Sequence, residues 1–533
     1  MVSTSARSSC VSEDHTSCPA KRRSTVVGNY CRLLGYDVDH ALEEVGQIEL
    51  HCRSLLRSFL VHALDVVWLW NARYAGRFRL AQRRWRGLMG HAQCAWDGAE
   101  ALGEAAAEDG GPSESTGQRP PSPVERVVGS YRAVMKFLGR RALARATRAV
   151  PRTLRFMHTA AMSGEVSDAV PAPNLSLGLA AGVAMDEALL AMAMTPNRFP
   201  RRADFARVSA ELADARQLFS RRGWIARPAS YHRTPPPLTA KDIETSRGWA
   251  LGQRYERISY DSGFAVRAGE PGGERWMAYD PIRRATTAIV RHRGEPRPWV
   301  VCVHGFCMGY PFMDFMGLHT AKLHRELGLN VALPVLPLHG PRKVTLVSGE
   351  PFLSFDMMNT VHGLTQAVWD IRRLVSWIRD QGATSIGLYG VSLGAYVVAL
   401  LAGIENGFDA VVAGIPVVDF PALFHEHSPV HIRLRSIEHR ILGGAVEDVY
   451  RVVSPMSFEP KVARDHRYVY AGYGDRLATP EQARMLWEHW DKPRISWYSG
   501  NHVGYLWSRQ VEAFLGESLA ASGLSCTRSA DEG

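Results

Sequence analysis

One stretch constrains this chain more than any other: Gly387-Leu388-Tyr389-Gly390-Val391-Ser392-Leu393-Gly394-Ala395-Tyr396. It reads as a short apolar strand, a Gly-x-Ser-x-Gly turn, and an alanine- and valine-rich helix. A serine hydroxyl is a poor nucleophile until it is held clear of the backbone and beside a base. A sharp strand-to-helix turn does this, but its backbone strain and the close helix–strand approach leave no room for neighbouring side chains, which accounts for Gly390 and Gly394. The pentapeptide alone is a common pattern. Its position between a strand and a helix gives it meaning.

At 533 residues the chain exceeds what one hydrophobic core supports, so two or more domains are expected. The net charge of +10 comes largely from arginines in the N-terminal half, between Arg77 and Arg86, Arg126 and Arg155, and Arg201 and Arg222. No zinc-finger spacing, RNP-like aromatic motif or lysine-rich tail accompanies them, so no nucleic-acid partner is assigned. A solvated basic surface is the plain reading, with peripheral contact to anionic lipid through the basic N-terminal helices as the alternative. The eight cysteines form no CxxC pair, which suits free thiols and a cytoplasmic setting. Ser58 to Trp70 is apolar but carries His62 and Asp65 and falls short of the ~20 apolar residues of a spanning helix. An amphipathic, partly buried helix is expected there, or an interfacial one with Trp68 and Trp70 at headgroup depth.

Composition and periodicity divide the chain. Residues 1–30 are polar and read as a disordered leader without the apolar core of a secretory signal. Residues 31–103 have helical periodicity, and the Gly-, Pro-, Ser- and acid-rich residues 104–123 form a flexible linker. Residues 124–250 form a helical accessory region that packs on the C-terminal half of the chain and shapes access to it. It contains an apolar helix at Leu175 to Met194, interrupted by Asp186 and Glu187 and read as a core helix, and an amphipathic one at Ala203 to Gly223. From 251 to 518 short strands at hairpin spacing (Tyr255 to Ser259, Phe264 to Val266, Arg275 to Tyr279, Thr287 to His292) give way to alternating strands and helices. That alternation predicts an α/β fold: a mostly parallel, doubly wound sheet with active residues just beyond strand carboxyl ends. An insert at about 420–455 is placed as a cap, and residues 519–533 as a disordered tail.

Three side chains fall at such strand ends in the order Ser392, Asp475, His502. Asp475 follows the Tyr468 to Gly472 strand, and His502 follows Arg494 to Tyr498. On these motifs, residues from about 275 to 518 resemble the α/β-hydrolase superfamily, of the serine esterase and lipase kind. The resemblance implies that His502 takes the Ser392 proton and Asp475 fixes the imidazole. The oxyanion donors would be the backbone N–H groups of Leu393 and of Phe306, the latter in a His304-Gly305-Phe306 segment similar to the family's His-Gly loop. Asp475 could instead cap the helix beginning near Pro480, in which case Asp419 is the other candidate acid.

The expected chemistry is cleavage of a small-molecule or lipid ester, or of a thioester, through an acyl-enzyme without metal or organic cofactor. Peptidase or acyltransferase action on the same three residues is the alternative, as is a non-catalytic, membrane-associated scaffold. His304, Gly305, His339 and Arg342 are placed at the pocket, where Arg342 or His339 would meet a carboxylate or phosphate. The run His425-Glu426-His427 with His431 lacks cysteine partners and is interrupted by Pro429, so it is assigned to the cap surface or pocket mouth rather than to a metal.

Overall fold

The computed structural model describes residues 149–162, 170–193 and 200–526. The expected leader, the helices before residue 149 including Ser58 to Trp70, and the linker lie outside the described residues. Helical residues 149–162 are followed by α1 (Leu177–Ala193) and α2 (Arg202–Arg221). The sheet then begins with β1 (Glu244–Ala250), β2 (Gln253–Asp261) and β3 (Arg284–Val290). The alternating part runs β4 (Trp299–Val303), β5 (Asn330–Pro334), α3 (Met357–Asp380), β6 (Ile386–Val391), α4 (Leu393–Ile404) and β7 (Ala410–Gly414). Three helices come after β7: α5 (Phe420–His427), α6 (Val430–Glu438) and α7 (Gly444–Tyr450). The chain closes with β8 (Arg467–Gly472), α8 (Pro480–His489), β9 (Arg494–Tyr498) and α9 (Arg509–Ala521).

The nine strands form one sheet in the order β1-β2-β3-β5-β4-β6-β7-β8-β9. The first three and β5 pair antiparallel, and every pair from β5 to β9 is parallel. The expected mostly parallel α/β-hydrolase-type sheet is therefore present. Its parallel strands β4, β5, β6 and β7 are buried at every residue, because helices cover both faces and each strand reads as a continuous apolar run. On one face α3 and α4 join the buried stripe of α2 (Phe205, Val208, Leu212, Ala215, Phe219) in a single core. On the other, Val511, Phe514, Leu515 and Leu519 of α9 pack against β4, β5 and β7.

Local readings differ from the sequence expectation in four places. Arg275 to Tyr279 is not a strand: Gly273–Met277 is a helical turn that buries Trp276, whose indole N–H donates to Gln366 Oε1 at 2.8 Å. Phe264 to Val266 pairs with no strand, although Phe264 is buried. Strand β1 lacks a sequence signal because its residues are mostly polar and its outer edge is exposed. It is held by a two-residue hairpin in which Leu251 and Gly252 have φ of 46° and 75°, the primed-turn geometry that matches strand twist. The expected disordered tail is ordered as far as Cys526: Leu519 and Leu524 are fully buried, and the Cys526 N–H bonds the Leu327 carbonyl at 2.8 Å. Among the described residues no helix is long and apolar enough to cross a membrane.

Candidate active site

β6 lies inside the parallel part of the sheet and leads directly into Ser392, which has φ 55° and ψ −117°, a strained conformation for a residue with a Cβ. Two hydrogen bonds hold the strain: the Ser392 N–H donates to Gly414 O at 2.9 Å, and its carbonyl accepts from Tyr396 N at 3.2 Å. A Cβ at Gly390 would lie 2.2 Å from Gly394 O, and one at Gly394 would lie 1.9 Å from Val303 O. Neither site can hold a side chain while α4 stays on β4 and β6.

The other two side chains arrive on loops leaving β8 and β9. His502 Nε2 lies 3.1 Å from Ser392 Oγ, and His502 Nδ1 lies 2.7 Å from Asp475 Oδ2. The second Asp475 oxygen accepts from the N–H groups of Leu477 (2.9 Å) and Ala478 (2.8 Å). Asp475 is not the cap of α8, whose N-cap position is occupied by Thr479, while Asp419 caps α5 by accepting from Ala422 N at 2.9 Å. With Nδ1–H donating to the carboxylate, Nε2 presents a lone pair to the hydroxyl. Burial alone would depress the His502 pKa, but the Asp475 charge and hydrogen bond, with the Asp186 charge, raise it above its usual 6.5. An imidazole so placed can accept a proton from Ser392 and stabilise the charge it gains.

The segment His304-Gly305-Phe306 packs on the serine turn: a Cβ at Gly305 would meet Val391 O at 3.4 Å and Ser392 Cβ at 3.5 Å. Among the described residues the N–H groups of Phe306 and Leu393 find no acceptor. His304 is buried and neutral. Its Nδ1–H donates to Gly305 O at 2.8 Å, Nε2 accepts from Leu336 N at 3.1 Å, and burial lowers its pKa to about 4. It pins the loop after β4 to the loop after β5. Two residues expected at the pocket are turned into the core instead. Arg342 spends its guanidinium on the carbonyls of Val335 and Ile282 and on Asp370, each at 2.8 Å. His339 is fully buried with Nδ1 on Pro337 O, and burial drives its pKa well below the usual value. The His339 ring is packed among the rings of His304 (5.2 Å), Phe352 (5.4 Å) and Phe306 (5.9 Å), so it supports the His304-Gly305-Phe306 segment from within the core.

A residue read only as part of a core helix also meets the site. Asp186 of α1 is fully buried, and three donors converge on it: Asn501 Nδ2 at 2.7 Å, His502 N at 2.9 Å and Arg476 N at 3.0 Å. One carboxylate thus grips both the loop carrying Asp475 and the loop carrying His502. Burial, and next the nearby Asp475 charge, push its pKa up to about 6 against the opposing pull of His502 and the two backbone donors. Glu187 beside it is also buried and bridges Arg152 (3.2 Å) and Arg476 (3.1 Å). Leu179 and Val183 of α1 reach the acid loop at Gly474, where a Cβ would stand 2.6 Å and 3.1 Å from their methyls. A signal for this is present in the sequence: a helix apolar on all sides is buried, and two carboxylates within it require partners.

Comparison with known proteins gives two close relatives. The uncharacterized protein MT2702 of Mycobacterium tuberculosis (strain CDC 1551 / Oshkosh) and the uncharacterized protein Rv2627c of strain ATCC 25618 / H37Rv are each 40% identical over 363 residues, 68% of this chain and 86% of theirs. The chain belongs to the family of these two mycobacterial proteins. No family model matches it. Among solved structures, acetyl xylan esterase 1 from Thermoanaerobacterium sp. JW/SL YS485 is similar over 56% of this chain and 92% of its own, with 12% identity and a TM-score of 0.41.

Proposed function

We propose that this member of the family is a serine hydrolase that cleaves a carboxylic ester or thioester through an acyl-enzyme. The supporting observation is the unbroken chain of hydrogen bonds from Ser392 Oγ through the His502 ring to Asp475, at 3.1 and 2.7 Å. In the first half-reaction Ser392 Oγ attacks the substrate carbonyl while His502 Nε2 takes its proton. Asp475 stays ionised and stabilises the imidazolium. The tetrahedral oxyanion would accept hydrogen bonds from Phe306 N–H and Leu393 N–H, the second at the positive end of α4. Collapse breaks the bond to the alcohol or thiol, which leaves with the proton from His502. Water then repeats the sequence on the acyl-serine and frees the acid. Asp186 touches no reacting atom; in this reading it is a positioning residue that sets both loops.

The test is labelling of the folded chain with a fluorophosphonate probe. Labelling is expected at Ser392 and should vanish in Ser392→Ala. Against a series of p-nitrophenyl esters, Ser392→Ala or His502→Ala should lower kcat by about 10⁴-fold or more. A folded chain that neither labels nor turns over any ester of the series would leave a non-catalytic scaffold as the surviving reading.

A further inference from the structure

A cavity of about 660 Å³ opens between helical residues 149–162, α1 and the α5–α6 corner, beside the acid loop. Its walls bring together four guanidinium groups, from Arg152, Arg155, Arg433 and Arg476, against two carboxylates, Glu187 and Glu426. Glu187 is already shared by Arg152 and Arg476. Arg155 has no partner among the described residues, and Arg433 makes only a long bond, 3.4 Å, to the His425 carbonyl. The remaining wall mixes polar Thr159, His427 and Ser428 with an apolar strip of Phe156, Leu190 and Val430, and the Arg476 guanidinium lies 5.5 Å over the Phe156 ring.

Like charges gathered in a concave, partly apolar space repel one another and focus a positive potential on it. An anion relieves the repulsion, and the planar guanidinium fork matches a carboxylate or phosphate. The volume lies within the range of small-molecule sites, and the apolar strip offers burial to whatever carries the charge. We propose that this cavity binds an amphiphilic anion: a carboxylate or phosphate head held by Arg155 and Arg433, with an apolar body lying on Phe156, Leu190 and Val430. The site stands on these residues alone and does not depend on Ser392 being a nucleophile. It also adjoins the acid loop, since Arg476 comes directly after Asp475 and donates its N–H to Asp186.

Calorimetric titration of the full chain with octyl phosphate, octanoate, octanol and inorganic phosphate tests the assignment. One equivalent of octyl phosphate or octanoate should bind, and the tighter of the two identifies the head group. Octanol and inorganic phosphate should each bind at least about tenfold more weakly, as each lacks one half of the recognition. The double variant Arg155→Gln/Arg433→Gln removes two exposed or half-exposed cations whose one hydrogen bond is the long, exposed contact of Arg433 with the His425 carbonyl, so its melting temperature should stay close to the parent's. Its affinity for the amphiphile should fall by about tenfold or more, and the parent's affinity should weaken with added salt. The proposal is overturned if no amphiphile binds, if octanol binds as well as the anions, or if the double variant binds like the parent.

Discussion

Gly394 and Gly182 each bring a helix close to a loop of the candidate site, and the two approaches tolerate change very differently. At Gly394 an added Cβ would stand 1.9 Å from the Val303 carbonyl, and at Gly182 it would stand 3.1 Å from Asn501 Cβ. The serine turn is backbone pressed on backbone inside the sheet, so nothing can yield without moving β4 or α4. The α1 contact is side chain on side chain, supplemented by one buried carboxylate, and has tenths of an ångström to give. Part of the site is therefore fixed by the sheet itself, and part is held by a helix from outside it. Gly394→Ala should break the first part outright, at a cost of more than about 3 kcal/mol, with little folded protein and no fluorophosphonate labelling. Gly182→Ala should fold, because alanine favours a helix by about 1 kcal/mol over glycine and offsets the tight contact. Equal melting temperatures for the two variants would abolish the distinction.

Legibility in the sequence divides along the same line. Ser392, its glycines, Asp475 and His502 sit at ends of buried strands, where local pattern and chain order are enough to nominate them. Helix α4 and strands β7 and β9 are legible to the residue because their apolar runs end at sharp turns. Asp186 escapes nomination, because its apolar helix shows only that a carboxylate there needs partners, and those partners lie 290, 315 and 316 residues away. Arg342 and His339 fail in the opposite sense. A polar residue after a strand looks like a pocket residue, yet here the bend after β5 is tight enough to turn both inward, where they satisfy carbonyls that would otherwise be buried without donors. Arg275 to Tyr279 reads as a strand, although Gly273–Met277 is helical, because a five-residue segment is too short for period to decide.

The contribution of α1 separates into shape and charge, and two variants at Asp186 distinguish them. Asp186→Ala leaves the N–H groups of Arg476 and His502 and the Asn501 amide without an acceptor, at a cost of ~1–3 kcal/mol for each that water does not reach. Melting temperature and kcat should fall together. Asp186→Asn keeps an oxygen for the two backbone donors, and Asn501 can turn its own carbonyl toward the new amide. With the folded pKa at about 6 and the ordinary value at 3.8, the folded state holds the extra proton, and its stability declines as pH rises through that window. Asn lacks this penalty, so at pH 8 it should melt no lower than the parent. Its effect should appear in the pH profile. Asp186 raises the His502 pKa, so removing its charge favours the neutral imidazole and moves the acid limb of kcat/KM to lower pH. An unmoved limb in Asp186→Asn would reduce Asp186 to a purely structural anchor.

The smallest expected effect concerns the neighbouring carboxylate. Glu187 is buried, but its partners are not: the Arg152 side chain is 60% exposed and that of Arg476 29% exposed. Ion pairs with such solvated cations are worth ~0–1 kcal/mol, and a glutamine at the same place still accepts a hydrogen bond. Glu187→Gln should therefore change stability by less than about 1 kcal/mol and kcat/KM by less than about threefold. The acid limb should stay where the parent has it, because Glu187 is not among the charges that raise the His502 pKa. If Glu187→Gln instead matched Asp186→Ala in lost turnover, the grip on the acid loop would run through the Arg476 side chain rather than through its backbone N–H. The assignment of Asp186 as the residue that aligns the two loops would then fail.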